Sequence, residues 1–219
     1  MNRLTKRTVV LPALCLAACT GSMFQSKVVP PAVYLLSPGA GSPTPGAPAA
    51  GGPPASTIPA DLTVLKPRVR PGLESDRIAV LYPDRHLDYF AGARWSGPLA
   101  EVLQDLAVEE FRVHANLRSV SGDASMFASS YWLEIEVADF QAEYASAAAA
   151  PTVHVHFLAR LGSSGNRRIL GQFEANARQP AAENRLSAIV DAYAHATDAA
   201  WGEIVAHADE TLAKTSEAR

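Results

Sequence analysis

Cys19 is the residue whose surroundings commit it most clearly to a chemistry. It follows Leu16-Ala17-Ala18, at the end of an apolar run from Val9 to Ala18 that is preceded by Arg3, Lys6 and Arg7. A positive n-region, a short apolar stretch and small residues before the cleavage point make a secretory signal, and the run is too short to stay in a bilayer as a spanning helix. A cysteine placed directly after such a signal reads as a lipobox thiol, acylated as the first residue of the mature chain. The competing reading is an ordinary secretory peptide with a chance cysteine at its end. The complete Leu-Ala-Ala-Cys run favours acylation.

Two histidines are the next candidates. His154 and His156 are two apart in an alternating segment, so both project from one face of a strand, and Glu134 and Glu136 share the polar face of the preceding one. If those strands pair, two imidazoles and two carboxylates could form a zinc set. The plainer expectation, and the one taken here, is a solvated cross-strand pairing of opposite charges with no metal. Gly162-Ser163-Ser164-Gly165 precedes a strand and lacks the helix N-terminus that a phosphate loop requires. There is no Gly-x-Ser-x-Gly elbow, and Cys15 lies in the segment that is removed. The expectation is therefore no catalytic residue, no cofactor and no enzyme activity.

Composition narrows the partners. Three of the 19 basic residues lie in residues 1–18, which leaves 16 against 22 acidic ones and a net charge of −6 on the mature chain. That balance argues against nucleic acid, and it leaves membrane attachment to acyl chains rather than to a basic patch. With no cysteine pair to form a disulfide, the domain must rely on its core.

The elements that position these residues begin with Ala32-Val33-Tyr34-Leu35-Leu36, a short strand after a lipidated tether. Residues 37–60 hold seven prolines and five glycines, which predicts a disordered linker or loop. A periplasmic domain is expected over 61–213. Within it, Leu62–Leu65, Arg77–Leu81 and Leu87–Phe90 read as strands, the last two joined by a turn at Tyr82–His86. Pro98 suits the first position of a helix capped by Ser96 or Gly97, with Leu99, Val102, Leu103 and Leu106 on its apolar side. Residues 131–137, 153–161 and 169–175 alternate as strands with one wet face. From Leu186, an apolar stripe through Ile189, Tyr193, Thr197, Trp201 and Ile204 marks a long helix of about 25 residues. The fold class is α+β, a mostly antiparallel sheet with two amphipathic helices packed on one face.

Arg94-Trp95-Ser96-Gly97-Pro98-Leu99 stands out at the helix start. Trp95 is either a packing lid or, with Tyr89, Phe90 and Arg94, part of a partner contact, since Trp, Tyr and Arg are favoured in such contacts. Val69-Arg70-Pro71-Gly72-Leu73, Arg77-Ile78-Ala79-Val80, Leu87-Asp88-Tyr89-Phe90 and this helix start resemble the ABC-type transport auxiliary lipoprotein family. Tyr34-Leu35-Leu36 matches that family's Tyr-x-Leu strand, while the proline-glycine stretch is a long insertion and Tyr89-Phe90 stands where two tyrosines are commoner. The resemblance implies a lipid-anchored periplasmic protein at the outer membrane. Its implied partners are an MCE-domain protein and an ABC permease and ATPase in intermembrane lipid transport, with homo-oligomers open. Thr20, rather than aspartate after the cysteine, fits outer-membrane sorting. The alternative is a carrier that holds an apolar ligand between helix and sheet.

Overall fold

A computed structural model describes residues 30–37, 39, 58–125, 128–146 and 148–217. Their elements, in chain order, are β1 (Ala32–Tyr34), β2 (Ile58–Val64), β3 (Arg68–Val69), β4 (Arg77–Leu81), β5 (Leu87–Trp95), α1 (Leu99–His114), β6 (Leu117–Gly122), β7 (Tyr131–Glu143), β8 (Thr152–Ser163), β9 (Ile169–Pro180) and α2 (Leu186–Glu217). The segment carrying Cys19, and residues 40–57 of the expected linker, lie outside the described residues. Ile58–Ala60 were expected in that linker and instead open β2. The reason is local: Ile58 N donates to Asn116 O at 2.7 Å, and Ala60 and Leu62 turn into the core.

The nine strands form one branched sheet around β7. Along one edge of β7, β2, β3 and β4 follow one another in parallel, with Leu62 opposite Tyr131, Val69 opposite Val137 and Val80 opposite Ala142. The other edge carries β8 and then β9 in long antiparallel ladders. β6 extends the sheet beyond β2 in parallel; β5 extends it beyond β4 as an antiparallel hairpin, and β1 lies parallel outside β5. The sheet is thus mixed, with the longest ladders antiparallel. The predicted short turns accounted for those; the parallel pairings of β2, β3 and β4 with β7 and of β2 with β6 span the crossover through α1, while β1 and β5 pair in parallel upstream of it.

One face of the sheet is apolar and covered by both helices. Val153, Val155, Phe157, Ala159 and Leu161 of β8, and Leu133, Ile135, Val137 and Phe140 of β7, are buried beneath α2 and α1. α2 runs 32 residues, longer than the stripe alone predicted, and buries Ile189, Tyr193, Trp201, Ile204 and Leu212 with a series of alanines between them. Those small side chains let the helix lie close to the sheet, so the large aromatic residues interlock. Trp201 meets Phe157 at 4.6 Å between ring centroids, and Tyr193 meets Phe140 at 5.1 Å. At α1, Pro98 is itself the cap, without a side-chain hydrogen bond; its carbonyl accepts from Glu101 N and Val102 N. Neither Ser96 nor Gly97 serves, because Pro98 already has extended backbone at ψ 135°.

Candidate functional site

The β4–β5 hairpin brings the four singled-out residues to one end of the sheet and separates them by role. A register shift between Arg77 and Ala79 lets β5 carry extra residues, and Gly92 occupies this bulge at φ 68°, a left-handed conformation that side chains disfavour. Beyond the bulge Trp95 turns inward. It is 1% exposed and packs edge-on against Tyr193 at 5.1 Å and Phe140 at 6.0 Å, while its backbone N–H donates to the Asp76 backbone O at 2.7 Å. Trp95 therefore takes the packing role of the two expected for it. Arg94 points the other way and is exposed, with Nη1 3.6 Å from Asp76 Oδ2. Tyr89 and Phe90 are half-buried at the core margin. Tyr89 donates from its hydroxyl to Gly72 O at 2.7 Å, and the Arg77 guanidinium lies 3.8 Å above its ring. The outer surface here is formed by Arg77, Tyr89, Phe90 and Arg94, with Trp95 supporting it from beneath.

The face of the sheet without helices carries a polar grid. The register sets Glu134 opposite Arg160 and Glu136 opposite Leu158, not opposite the histidines. A bulge between Val137 and Asp139 shifts the alternation, so the histidines meet other carboxylates. His154 Nδ1 lies 3.0 Å from Glu143 Oε1, and its Nε2 lies 3.0 Å from Asn176 Oδ1. His156 sits between Asp139 Oδ2 at 3.3 Å and Glu174 Oε1 at 3.0 Å. Arg178 donates to Glu143 at 2.7 Å, and Gln141 donates to both Asp139 and Glu143 at 3.1 Å. Burial raises the Asp139 and Glu143 carboxyls, but these donors and neighbouring cations outweigh it and hold both below the usual range. Among the described residues no group of three such side chains could hold a metal ion. The arrangement is a satisfied cross-strand network.

A different electrostatic situation exists between the helices. Glu110 of α1 is 4% exposed and lines a cleft with His114, His195 and Asp198. His114 Nε2 lies 3.5 Å from its Oε2. Burial pushes its carboxyl above the ordinary range, the His114 charge works against this, and Asp198 and Glu109 add to it. Sequence reading missed Glu110, because it interrupts the apolar side of α1 as a charge. It also missed β6, whose Leu117-Arg-Ser-Val-Ser-Gly has little apolar signal.

Comparison with known proteins adds three findings. The family described as "ABC-type transport auxiliary lipoprotein component" matches residues 40–205. No curated protein matches the chain. Among solved structures, protein XCC0632 from Xanthomonas campestris is similar at TM-score 0.67 and 23% identity, covering 86% of this chain and 98% of its own. The hypothetical protein CT253 from Chlamydia trachomatis reaches TM-score 0.51 at 12% identity, covering 71% and 99% respectively. At these identities the likeness is one of fold.

Proposed function

Because the chain belongs to the ABC-type transport auxiliary lipoprotein family, we propose that it is a docking component of a transport system, fixed to the outer membrane by acylated Cys19. On this reading it stands beside an ABC permease and ATPase and an MCE-type protein that pass lipid between membranes. The protein carries out no reaction of its own; it holds a partner in place.

The observation that supports an adaptor over a carrier is the filled space between α2 and the sheet. A carrier needs a pocket of several hundred Å³ lined by apolar side chains. Here that space contains Trp201 against Phe157, Tyr193 against Phe140, and Trp95 against Tyr193, with centroid separations of 4.6, 5.1 and 5.1 Å. All five side chains are at most 1% exposed. Four clefts among the described residues lie outside it, along α1, β6 and the α1–α2 seam.

Purification of the tagged full chain from its own membranes tests the reading. Recovery of permease, ATPase and MCE proteins, with no lipid beyond the acyl anchor by mass spectrometry, is the expected result. Stoichiometric lipid bound to a chain that recovers none of these proteins would establish the carrier instead.

A further inference from the structure

The surface next to β1 has a composition that the proposed role does not yet use. Two of the exposed large apolar side chains, Val33 at 54% and Leu35 at 70%, lie on β1 and its exit. Beside Leu35 runs a groove of about 260 Å³ between the end of β1 and α1. Its floor is Leu36, Val102 and Leu106, and its rim is Asp105 and Glu109. Val102 and Leu106 are four apart, as are Asp105 and Glu109, so α1 presents an apolar row and an acidic row side by side. One turn earlier, Glu101 is paired with Lys66 at 2.9 Å. Asp105 and Glu109 have no such cation among the described residues. Like charges at this spacing repel each other; Arg112 lines a neighbouring cleft with both, but its Nε donates to Val120 O and it forms no ion pair with either.

We propose that this groove receives a segment of a partner protein that carries an apolar side chain next to lysine or arginine. The inference rests on the docking role proposed above and names where the partner sits. Charge complementarity selects this occupant. An apolar side chain would cover the floor, and a flanking cation would neutralise the rim. Residues 37–57 contain no lysine or arginine, so the proline-glycine stretch cannot supply the cation; Lys27-Val28 of the tether carries this chemistry, and a groove crosslink to it is one of the outcomes that would overturn the partner. A second copy would bring another chain with more acidic than basic residues. A bilayer with anionic headgroups would be repelled by the same two carboxylates. With Cys19 acylated, the chain from Cys19 to Leu35 keeps the groove within about 55 Å of the membrane even when fully extended. The partner segment must therefore come within that distance.

Site-specific photo-crosslinking in cells decides the matter, with the full chain carrying the crosslinker in turn at Leu35, Asp105, Phe90 and Leu158. The expected result is that Leu35 and Asp105 crosslink to another protein, and that mass spectrometry of the linked peptide finds an apolar residue beside lysine or arginine. Asp105→Lys with Glu109→Lys should then reduce the Leu35 crosslink at least ten-fold. Both side chains are exposed, so the doubly substituted protein should melt like the parent, which separates lost docking from lost folding. Crosslinks to a protein from Phe90 or Leu158 alone would overturn the groove while leaving the docking role standing. Groove crosslinks to lipid, to a second copy, to the chain's own tether or to an uncharged segment would overturn the proposed occupant. If no position crosslinks to any protein, the docking role falls together with the groove.

Discussion

Replacing Trp95 by alanine removes an indole that joins three elements: β5, which carries it, β7 through Phe140, and α2 through Tyr193. The side chain is 1% exposed, so nearly all of its transfer free energy is lost, and the surrounding sheet cannot collapse into the space. Such changes cost about 3–5 kcal/mol. Two edge-on aromatic contacts, each contributing about 0.5–1.5 kcal/mol beyond area, place Trp95 toward the upper part of that range. For a domain of this size, 1 kcal/mol moves the melting temperature by about 2–4 °C, so the variant should melt about 6–20 °C below the parent. Trp95→Phe keeps one ring against Tyr193 and should fall between them. Circular dichroism melts of the detergent-solubilised chain measure this. Partner capture, assayed well below the melt, should be retained, since Trp95 is buried and offers a partner no surface of its own. A Trp95→Ala protein that melts like the parent and loses its partner would refute the packing role.

Gly162→Ala should destabilise the sheet, by about 1–3 kcal/mol if Trp132 cannot move aside. The added Cβ would lie 2.1 Å from the Trp132 ring, so pairing it with Trp132→Ala should abolish most of the loss in a double-mutant cycle of melts. Glu110→Gln should stabilise the protein at pH 7. The folded carboxyl is raised above 4.5, so its contribution is fully present below about that pH and is lost as pH rises through the folded value. Urea titrations of parent and variant should therefore converge on acidification; a parent that gains nothing relative to the variant below pH 5 contradicts this. On the anchor proposed above, Cys19→Ala should leave a chain that is either unprocessed or no longer pellets with membranes. Membrane fractionation checks it, and a processed Cys19→Ala protein that still pellets would remove the anchor.

Much of the architecture was readable because burial on one face imposes period. β7, β8 and α2 show it over long stretches, and their alternating or three-four spaced residues turned inward as expected. The mixed topology was not readable, since β2, β3 and β4 pair with β7 across distances that no local pattern encodes. The histidine partners were misassigned for a specific reason. The ladder's register already sets Glu134 and Glu136 opposite Arg160 and Leu158, and the bulge after Val137 then turns Asp139 rather than Ala138 toward His156. Trp95 showed the limit of residue type as a guide to surface: its neighbour Arg94 is exposed, yet strand alternation sends the indole into the core. The groove beside α1 was invisible because it joins Leu36 to Val102 and Leu106, residues that each read as core. Thr197 and Trp201 were placed correctly on the stripe. Their Oγ1 and Nε1 nevertheless have no partner among the described residues, a penalty that spacing does not reveal.

The position of β7 also bears on how this chain reaches its compartment. Three earlier strands, β2, β3 and β4, wait for one later strand, because Leu62 pairs with Tyr131 and Val80 with Ala142, more than sixty residues apart in each case. α2, which seals the core, comes last of all. During synthesis nothing upstream of β7 can complete its sheet, and closing such long loops slows folding. A chain exported unfolded, as the lipoprotein signal proposed for residues 1–18 would require, crosses the membrane before it folds. Topology of this kind delays collapse and so lengthens the interval in which such a chain can still be threaded.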